Sequence, residues 1–428
     1  MDQHNDGSDT ESEAYLGDEA GNVDQQDQEV ADLQGAEADG GYESDSEEGE
    51  ANETGQTEVT DDAIHCFSQH TDAVFAVAWN PAQPDMAASG GGDDKAYIWK
   101  IGQEGHHALE GHTDSVAALA FNSAGTLLAS GSLDSRVSIW ESTSGRCTYF
   151  LEGPGEAIEW VSWHPRGDVV LAGSEDFTAW MWNAQSGDMM QVFYGHTGAV
   201  RCGQFTPDGK AVVTGGGEGD ATLKVWDPKS GSCTGTIQGH GFHEAGLTSL
   251  DISADSTVAI TGSEDMTAKI SNIHTGKVLG TFVGHTESVE AVALSSVLPV
   301  AATASVDGKL LIWDNATLSV RGTCEHSEAV VALQCHPSQP LIFTGCLDGA
   351  VRCWDLRTGV CIQTRTGNIK GESESPRELA KTERGSHPAR PRPTVTFHRV
   401  LHAAGGRGVR PSLGGCPSDV LHLAGGGL

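Results

Sequence analysis

Six tryptophans recur along this chain at nearly equal intervals. Trp99, Trp140, Trp182 and Trp226 lie 41, 42 and 44 residues apart, and Trp313 and Trp354 follow after 87 and 41. Six residues before each stands an aspartate: Asp93, Asp134, Asp176, Asp220, Asp307 and Asp348. Asp265, six residues before Ser271, marks a further unit whose tryptophan is missing. A fixed period in the low forties means that one supersecondary unit is copied. Each copy then hides its apolar face against the next.

The second unit shows what is being copied. Gly111-His112 opens it, then come Val116–Phe121, Leu127–Ser130, Asp134 in a turn, and Val137–Trp140. A fourth apolar run, Cys147–Leu151, precedes the next unit. Short alternating runs separated by turn residues read as strands. Four strands per period, with Asp and Trp at set places, are the signature of a WD-repeat β-propeller. The expected fold class is therefore all-β.

Within each unit the polar residues have a structural use. His112, Ser130, Asp134 and Trp140 have the types and spacing of a buried hydrogen-bonded tetrad. The set recurs as His70/Ser89/Asp93/Trp99, His196/Thr214/Asp220/Trp226, His285/Thr303/Asp307/Trp313 and His326/Thr344/Asp348/Trp354. Hydrolases also combine His, Asp and a hydroxyl. A catalyst needs one such set, however, and five copies point to a scaffold. No phosphate loop and no metal-ligand spacing occurs, so no catalytic activity and no cofactor is expected.

Two units break the pattern. In the third, Gly153-Pro154 replaces Gly-His, Ala172 replaces the hydroxyl residue, and Trp160, Trp163 and Trp180 are added. These aromatics fit an apolar substitute for the tetrad, and Trp160 is also a candidate surface anchor. In the fifth, Ser271-Asn272 replaces Trp-Asp, and Gly241–Gly246 lengthens the loop after His240. Longer loops on rigid scaffolds often carry binding.

Charge narrows the partners. The formal net charge is −35, which opposes contact with a polyanion and favours basic proteins or peptides. Two residues after the Gly-His histidine stands an acid: Asp72, Asp114, Glu287 and Glu328. Glu156 holds the matching place in the third unit, and Glu244 is the candidate in the fifth. With Asp94, Glu175, Glu218 and Glu264 in neighbouring turns, these acids are expected to ring one mouth. The ten cysteines show no paired spacing, and no apolar run is long enough to cross a membrane. The default expectation is a monomer in the cytoplasm or nucleus.

The ends differ from the middle. Residues 1–62 hold 22 acids and no Lys or Arg, too little apolar surface for a core, and read as a disordered acidic arm. Residues 63–367 read as the propeller. Residues 368–428, with nine Lys/Arg against five acids and many Gly and Pro, read as a disordered tail. Seven inner three-strand sets are visible, but eight outer strands surround them. Ala63–Phe67 precedes the first set and Cys361–Thr366 follows the last.

A resemblance goes further. Glu159-Trp-Val-Ser-Trp-His-Pro165, Leu171-Ala-Gly-Ser174, Trp180-Met-Trp182, Gly91-Gly-Asp-Asp-Lys-Ala96, Leu347-Asp348-Gly349 and Arg357-Thr-Gly359 resemble the angio-associated migratory cell protein family over residues 63–367. That resemblance implies an eight-bladed ancestry and a non-catalytic binding protein. One fungal member of the family is a ribosome-assembly chaperone that captures a basic ribosomal protein on an acidic propeller. Animal members are linked to cell migration, which implies the alternative of a signalling or trafficking scaffold. On the first reading Asp72, Asp114, Glu156, Trp160, Glu244, Glu287 and Glu328 are the partner-binding candidates.

Overall fold

A computed structural model describes residues 67–366. The acidic arm 1–62, most of the first outer run (Ala63–Cys66) and the tail 368–428 lie outside the described residues. Within them the chain forms seven antiparallel four-stranded sheets, each built from four consecutive strands. These seven blades span 74–109, 116–151, 158–194, 200–237, 247–283, 289–325 and 330–366. The fold is a seven-bladed all-β propeller. Every blade takes its outer strand from its own C-terminal end, so Cys361–Thr366 closes the seventh blade as its sequence suggests. Of the expected strand at Ala63–Phe67 only Phe67 falls within the described residues, and it lies outside any strand.

The tetrads form as their spacing predicts. In the second blade the Trp140 indole N–H donates to Ser130 Oγ at 2.8 Å. His112 Nε2 meets the same oxygen at 2.8 Å, and His112 Nδ1 meets Asp134 at 2.9 Å. The Thr113 amide donates to the same aspartate at 3.0 Å. Burial alone would raise the Asp134 carboxyl, but the bonds from His112 and Thr113 outweigh it and hold the carboxyl below its ordinary value. The sixth blade repeats the set, with His285 on Thr303 at 2.7 Å and on Asp307 at 2.9 Å, and Trp313 on Thr303 at 2.8 Å. The hydroxyls are sealed from solvent, so no substrate could reach them.

The last tetrad departs from expectation. His326 still meets Thr344, and Trp354 donates to the same oxygen. Asp348, however, is taken by Arg352 at 2.6 Å and by Ser327. His326 Nδ1 is left buried without a partner. A guanidinium fork binds a carboxylate more strongly than a neutral imidazole does, so Arg352 wins the competition.

In the third blade the apolar substitution is real. Trp160 is fully buried and is not a surface anchor. Its indole donates to the Val200 carbonyl of the next blade at 2.8 Å. Gly173 and Gly203 make room for it: a Cβ on either would lie 2.2 or 2.3 Å from the ring. Trp182, lacking a hydroxyl partner, keeps an unpaired buried N–H and stacks on Trp180.

The fifth blade corrects the loop reading. His243, not His240, is the tetrad histidine, meeting Thr261 and Asp265 at 2.8 Å each. The extra residues therefore precede the histidine, and they deliver Phe242 into the core. Its ring meets the His243 ring edge-on at 4.8 Å, where other blades place the tryptophan. The insertion fills the hole that Ser271 would leave and presents no aromatic to a partner.

Blades are joined by apolar clusters, one at each junction from first-on-second to sixth-on-seventh. Ala88, Ala129, Leu171, Val213, Ile260 and Ala302 supply the forward wall from the second strand, and all are sealed. In the seventh blade the matching Phe343 is half-buried and joins no such cluster. Val116, Ile158, Val200, Leu247, Val289 and Val330 open the inner strands on the opposite walls and are equally sealed, whereas Val74 is half-buried. Among the described residues no apolar cluster links the seventh blade to the first, and the ring is open there.

Two core variants test these roles. Phe242→Ala should lower the unfolding free energy by about 3–5 kcal/mol. Ser130→Ala, which orphans His112 and Trp140, should lower it by about 1–3 kcal/mol. Urea unfolding followed by tryptophan fluorescence measures both. A Phe242→Ala cost under about 1 kcal/mol would remove the core-filling role.

Candidate protein-binding rim

In the first, second, fourth, fifth and sixth blades a histidine–aspartate bond ties two loops. One loop enters the inner strand and the other turns between the second and third strands. Both therefore emerge on one rim. A second bond fixes the residue two after the histidine. The Ser132 hydroxyl donates to the Asp114 carbonyl at 2.9 Å, and Ser174 and Ser305 do the same for Glu156 and Glu287 at 3.1 Å. Cys346 serves Glu328 at 3.2 Å. With these backbones pinned, the carboxylates of Asp114, Glu156, Glu287 and Glu328 face solvent, and Asp72, where Gly91 replaces the donor, is exposed as well.

Glu244 does not join them. Its amide donates to Asp265, and Ala245 takes the pinned position, accepting from Ser263 at 3.1 Å. Glu244 directly follows the tetrad histidine His243, so the residue two after that histidine is Ala245. The fourth blade has Gly198 at that place.

An inner group of charges lies over the third to sixth blades. Arg201, in the strand Val200–Phe205, reaches Glu159 of Ile158–Trp163 at 3.0 and 3.2 Å. Burial pushes the Glu159 carboxyl up to about 7; Arg201 opposes this and Glu175 adds to it. Glu264 is raised by burial, by Glu218 and by Glu290, with Arg201 opposing. One arginine thus stands among five carboxylates. A carboxyl raised by its neighbours' charges reports a local negative potential that a further cation would relieve. Of the acids expected there from the sequence, Glu175 acts on Glu159 and Glu218 acts on Glu264. Glu159, Arg201 and Glu290 were not singled out there. Their common signal was the second position of an inner strand, in Ile158–Trp163, Val200–Phe205 and Val289–Leu294.

Apolar side chains sit among the acids. Phe177 and Met266 each follow a tetrad-position aspartate and are 47% and 46% exposed. Both adopt left-handed backbone, with φ of 72° and 64°. The sixth and seventh blades place Gly308 and Gly349 at this turn position. A bulky residue there costs stability, of order 1–3 kcal/mol, and presents its side chain outward. Val306 and Leu347, just before the aspartates of the last two blades, are exposed as well. The rim therefore offers carboxylates interleaved with apolar contacts, which suits a basic segment with apolar side chains.

Comparison with known proteins agrees with this architecture. The profile of the WD domain, G-beta repeat, matches seven segments: 62–100, 104–141, 145–183, 187–227, 231–271, 276–314 and 318–355. The chain belongs to the WD-repeat family. It is 40% identical over 345 residues to an uncharacterized WD repeat-containing protein of Schizosaccharomyces pombe, covering 77% of this chain and 85% of that one. It is also similar to the human angio-associated migratory cell protein, with 34% identity over 155 residues, 33% of this chain and 36% of that protein. Among solved structures it resembles Chaetomium thermophilum Sqt1 bound to the N-terminus of the ribosomal protein L10. The TM-score is 0.65 at 25% identity, over 72% of this chain and 91% of that one.

Phe177→Gly separates the rim's strain from its use. The substitution should raise stability, or leave it unchanged, by relieving the left-handed strain, with a gain of up to about 1 kcal/mol. Thermal unfolding checks it. A loss of stability would mean that the ring packs on the fold and is not held out for contact.

Proposed function

We propose that this protein captures a basic segment of a client protein on its acidic rim and acts as an assembly chaperone. The observation that carries the reading is the crowding of Glu159, Glu175, Glu218, Glu264 and Glu290 around the single Arg201, next to exposed Phe177 and Met266. Such a site rewards a lysine or arginine flanked by an apolar side chain. The likeness to Sqt1, whose structure is described with the N-terminus of ribosomal protein L10, supports a ribosomal-protein client. The outer acids Asp72, Asp114, Glu156, Glu287 and Glu328 then act at longer range. They raise the encounter rate of a basic chain within a Debye length of about 8–10 Å.

The experiment is capture of a synthetic peptide spanning the N-terminus of the ribosomal protein L10 of the same organism, measured by fluorescence anisotropy. Affinity should fall by at least about tenfold between 50 and 300 mM salt, as screening weakens each charge pair. Neutralising Asp72, Asp114, Glu287 and Glu328 together, to Asn or Gln, should weaken capture by a further large factor while the melting temperature holds. Capture indifferent to both changes would sink the acidic-rim reading.

The same site sets a pH dependence. Glu159 is half-protonated near pH 7 when no client is bound. A client cation beside it favours the ionised form, so capture releases a proton and strengthens as pH rises through 7. The expected gain between pH 6 and 8 is about tenfold. Equal affinity at the two pH values, or tighter capture at pH 6, would remove Glu159 from the site.

A further inference from the structure

One junction between blades lacks a side chain that its neighbours have. From the second blade on, the turn before each outer strand holds a residue with left-handed backbone: Gly145, Gly187, Gly231, Gly276, Leu318 and Gly359. In the second, third and fourth blades this turn lies under a side chain from the outer strand of the blade before. A Cβ on Gly145, Gly187 or Gly231 would strike His107, Tyr149 or Gln191. In the sixth blade the turn supplies its own cover, since Leu318 lies over Gly280 of the fifth. In the seventh, Gly359 lies beside Gly322 of the sixth. Gly276 of the fifth blade has none of these neighbours, and a Cβ on it would meet nothing within 4 Å. The fourth-blade residue that should cover it is Gly235, which pairs with Val225 as Gln191 pairs with Met181.

The missing side chain leaves a cleft of about 340 Å³ beside the outer strands Cys233–Ile237 and Lys277–Val283. Ile237 and Val278 line its walls, and the buried Phe242 lies at its base. Gln238, His240 and Lys277 are exposed at its lip. The Phe242 amide donates to the Gly239 carbonyl at 2.9 Å and closes a turn with His240 and Gly241 at its tip. The insertion that fills the fifth-blade core thus also brings an imidazole to the same cleft as Lys277. Lys224 adds a further cation next to the lining residue Thr236, donating to its hydroxyl at 3.4 Å. No lining residue is acidic, although the chain carries a net charge of −35. Each outer strand pairs on one side only, so backbone edges flank the cleft as well.

We infer that this cleft is a second binding site, for an extended peptide of a partner protein that carries an apolar side chain next to a carboxylate. The apolar side chain packs on Ile237 and Val278, in the place that His107, Tyr149 and Gln191 fill at other junctions. The carboxylate faces Lys277 and His240. The lining charge is opposite to that of the rim, so the two sites take different partners, and the inference does not rest on client capture.

Saturation-transfer NMR on the full chain tests it, with the blocked tripeptide Glu-Phe-Glu as probe. Gly235→Gln copies the third-blade side chain into the cleft. A Cβ at Gly235 meets nothing closer than 3.8 Å and the backbone there is not left-handed, so the fold should accept it and the melting temperature should hold. This variant should bind the probe at least about tenfold more weakly, because it fills the seat of one large apolar side chain. Lys277→Gln should weaken binding about two- to fivefold, the worth of one exposed ion pair. Glu-Gly-Glu, which lacks the apolar group, should bind wild type at least about tenfold more weakly than Glu-Phe-Glu. A wild type that ignores Glu-Phe-Glu at millimolar concentration overturns the proposal. So does equal binding of that probe by wild type and Gly235→Gln, or equal binding of the two tripeptides by wild type.

Discussion

One buried hydroxyl in each regular blade holds the rest of the structure in place. It accepts from the tryptophan indole of the third strand and meets the histidine of the loop before the first, as Ser130 does for Trp140 and His112. The histidine in turn reaches the aspartate of the second turn. Three strands and two loops are thus fastened at one point that water cannot reach. An unmade bond there would cost more than each bond contributes, so the loops have little freedom to move apart. That stiffness lets the rim carry charge. Exposed carboxylates repel one another, and a soft loop would relax away from its neighbours.

Blades that depart from the tetrad show what the constraint actually is. The third has neither histidine nor hydroxyl, and an indole, Trp160, reaches across to the next blade instead. The fifth has no tryptophan, and a three-residue insertion supplies Phe242. The seventh keeps every tetrad residue, yet Arg352 draws its aspartate away. What each junction requires is a filled apolar volume and satisfied polar groups. The tetrad is the usual solution.

The proposed client capture rests on the uneven side of the ring. The pinned outer acids are spread around the rim, but the inner group gathers over the third to sixth blades, where the exposed Phe177 and Met266 also lie. An even ring of charge would hold any cation. In the proposed function, acids gathered beside apolar side chains select a segment that carries both kinds of group, and Arg201 limits how much charge is left over.

The sequence alone determined a great deal. The Trp and Asp period fixed the number of inner sets, and the alternation placed strands such as Val116–Phe121 and Cys147–Leu151 to the residue. It also identified the tetrads and the pinned acids, because these depend on spacing within one unit. It misplaced the fifth-blade histidine by following the Gly-His pair at His240, whereas His243 keeps the 18-residue spacing to its hydroxyl partner that His112 and His285 show. It left open whether Trp160 was core or surface, because its burial depends on Gly173 and Gly203, one of them in another blade. The Glu159–Arg201 group and the open junction also belong to the tertiary structure alone. A repeat writes its internal contacts into its own period. Contacts between copies arise from side chains about forty or more residues apart, and the folded ring decides which of them meet.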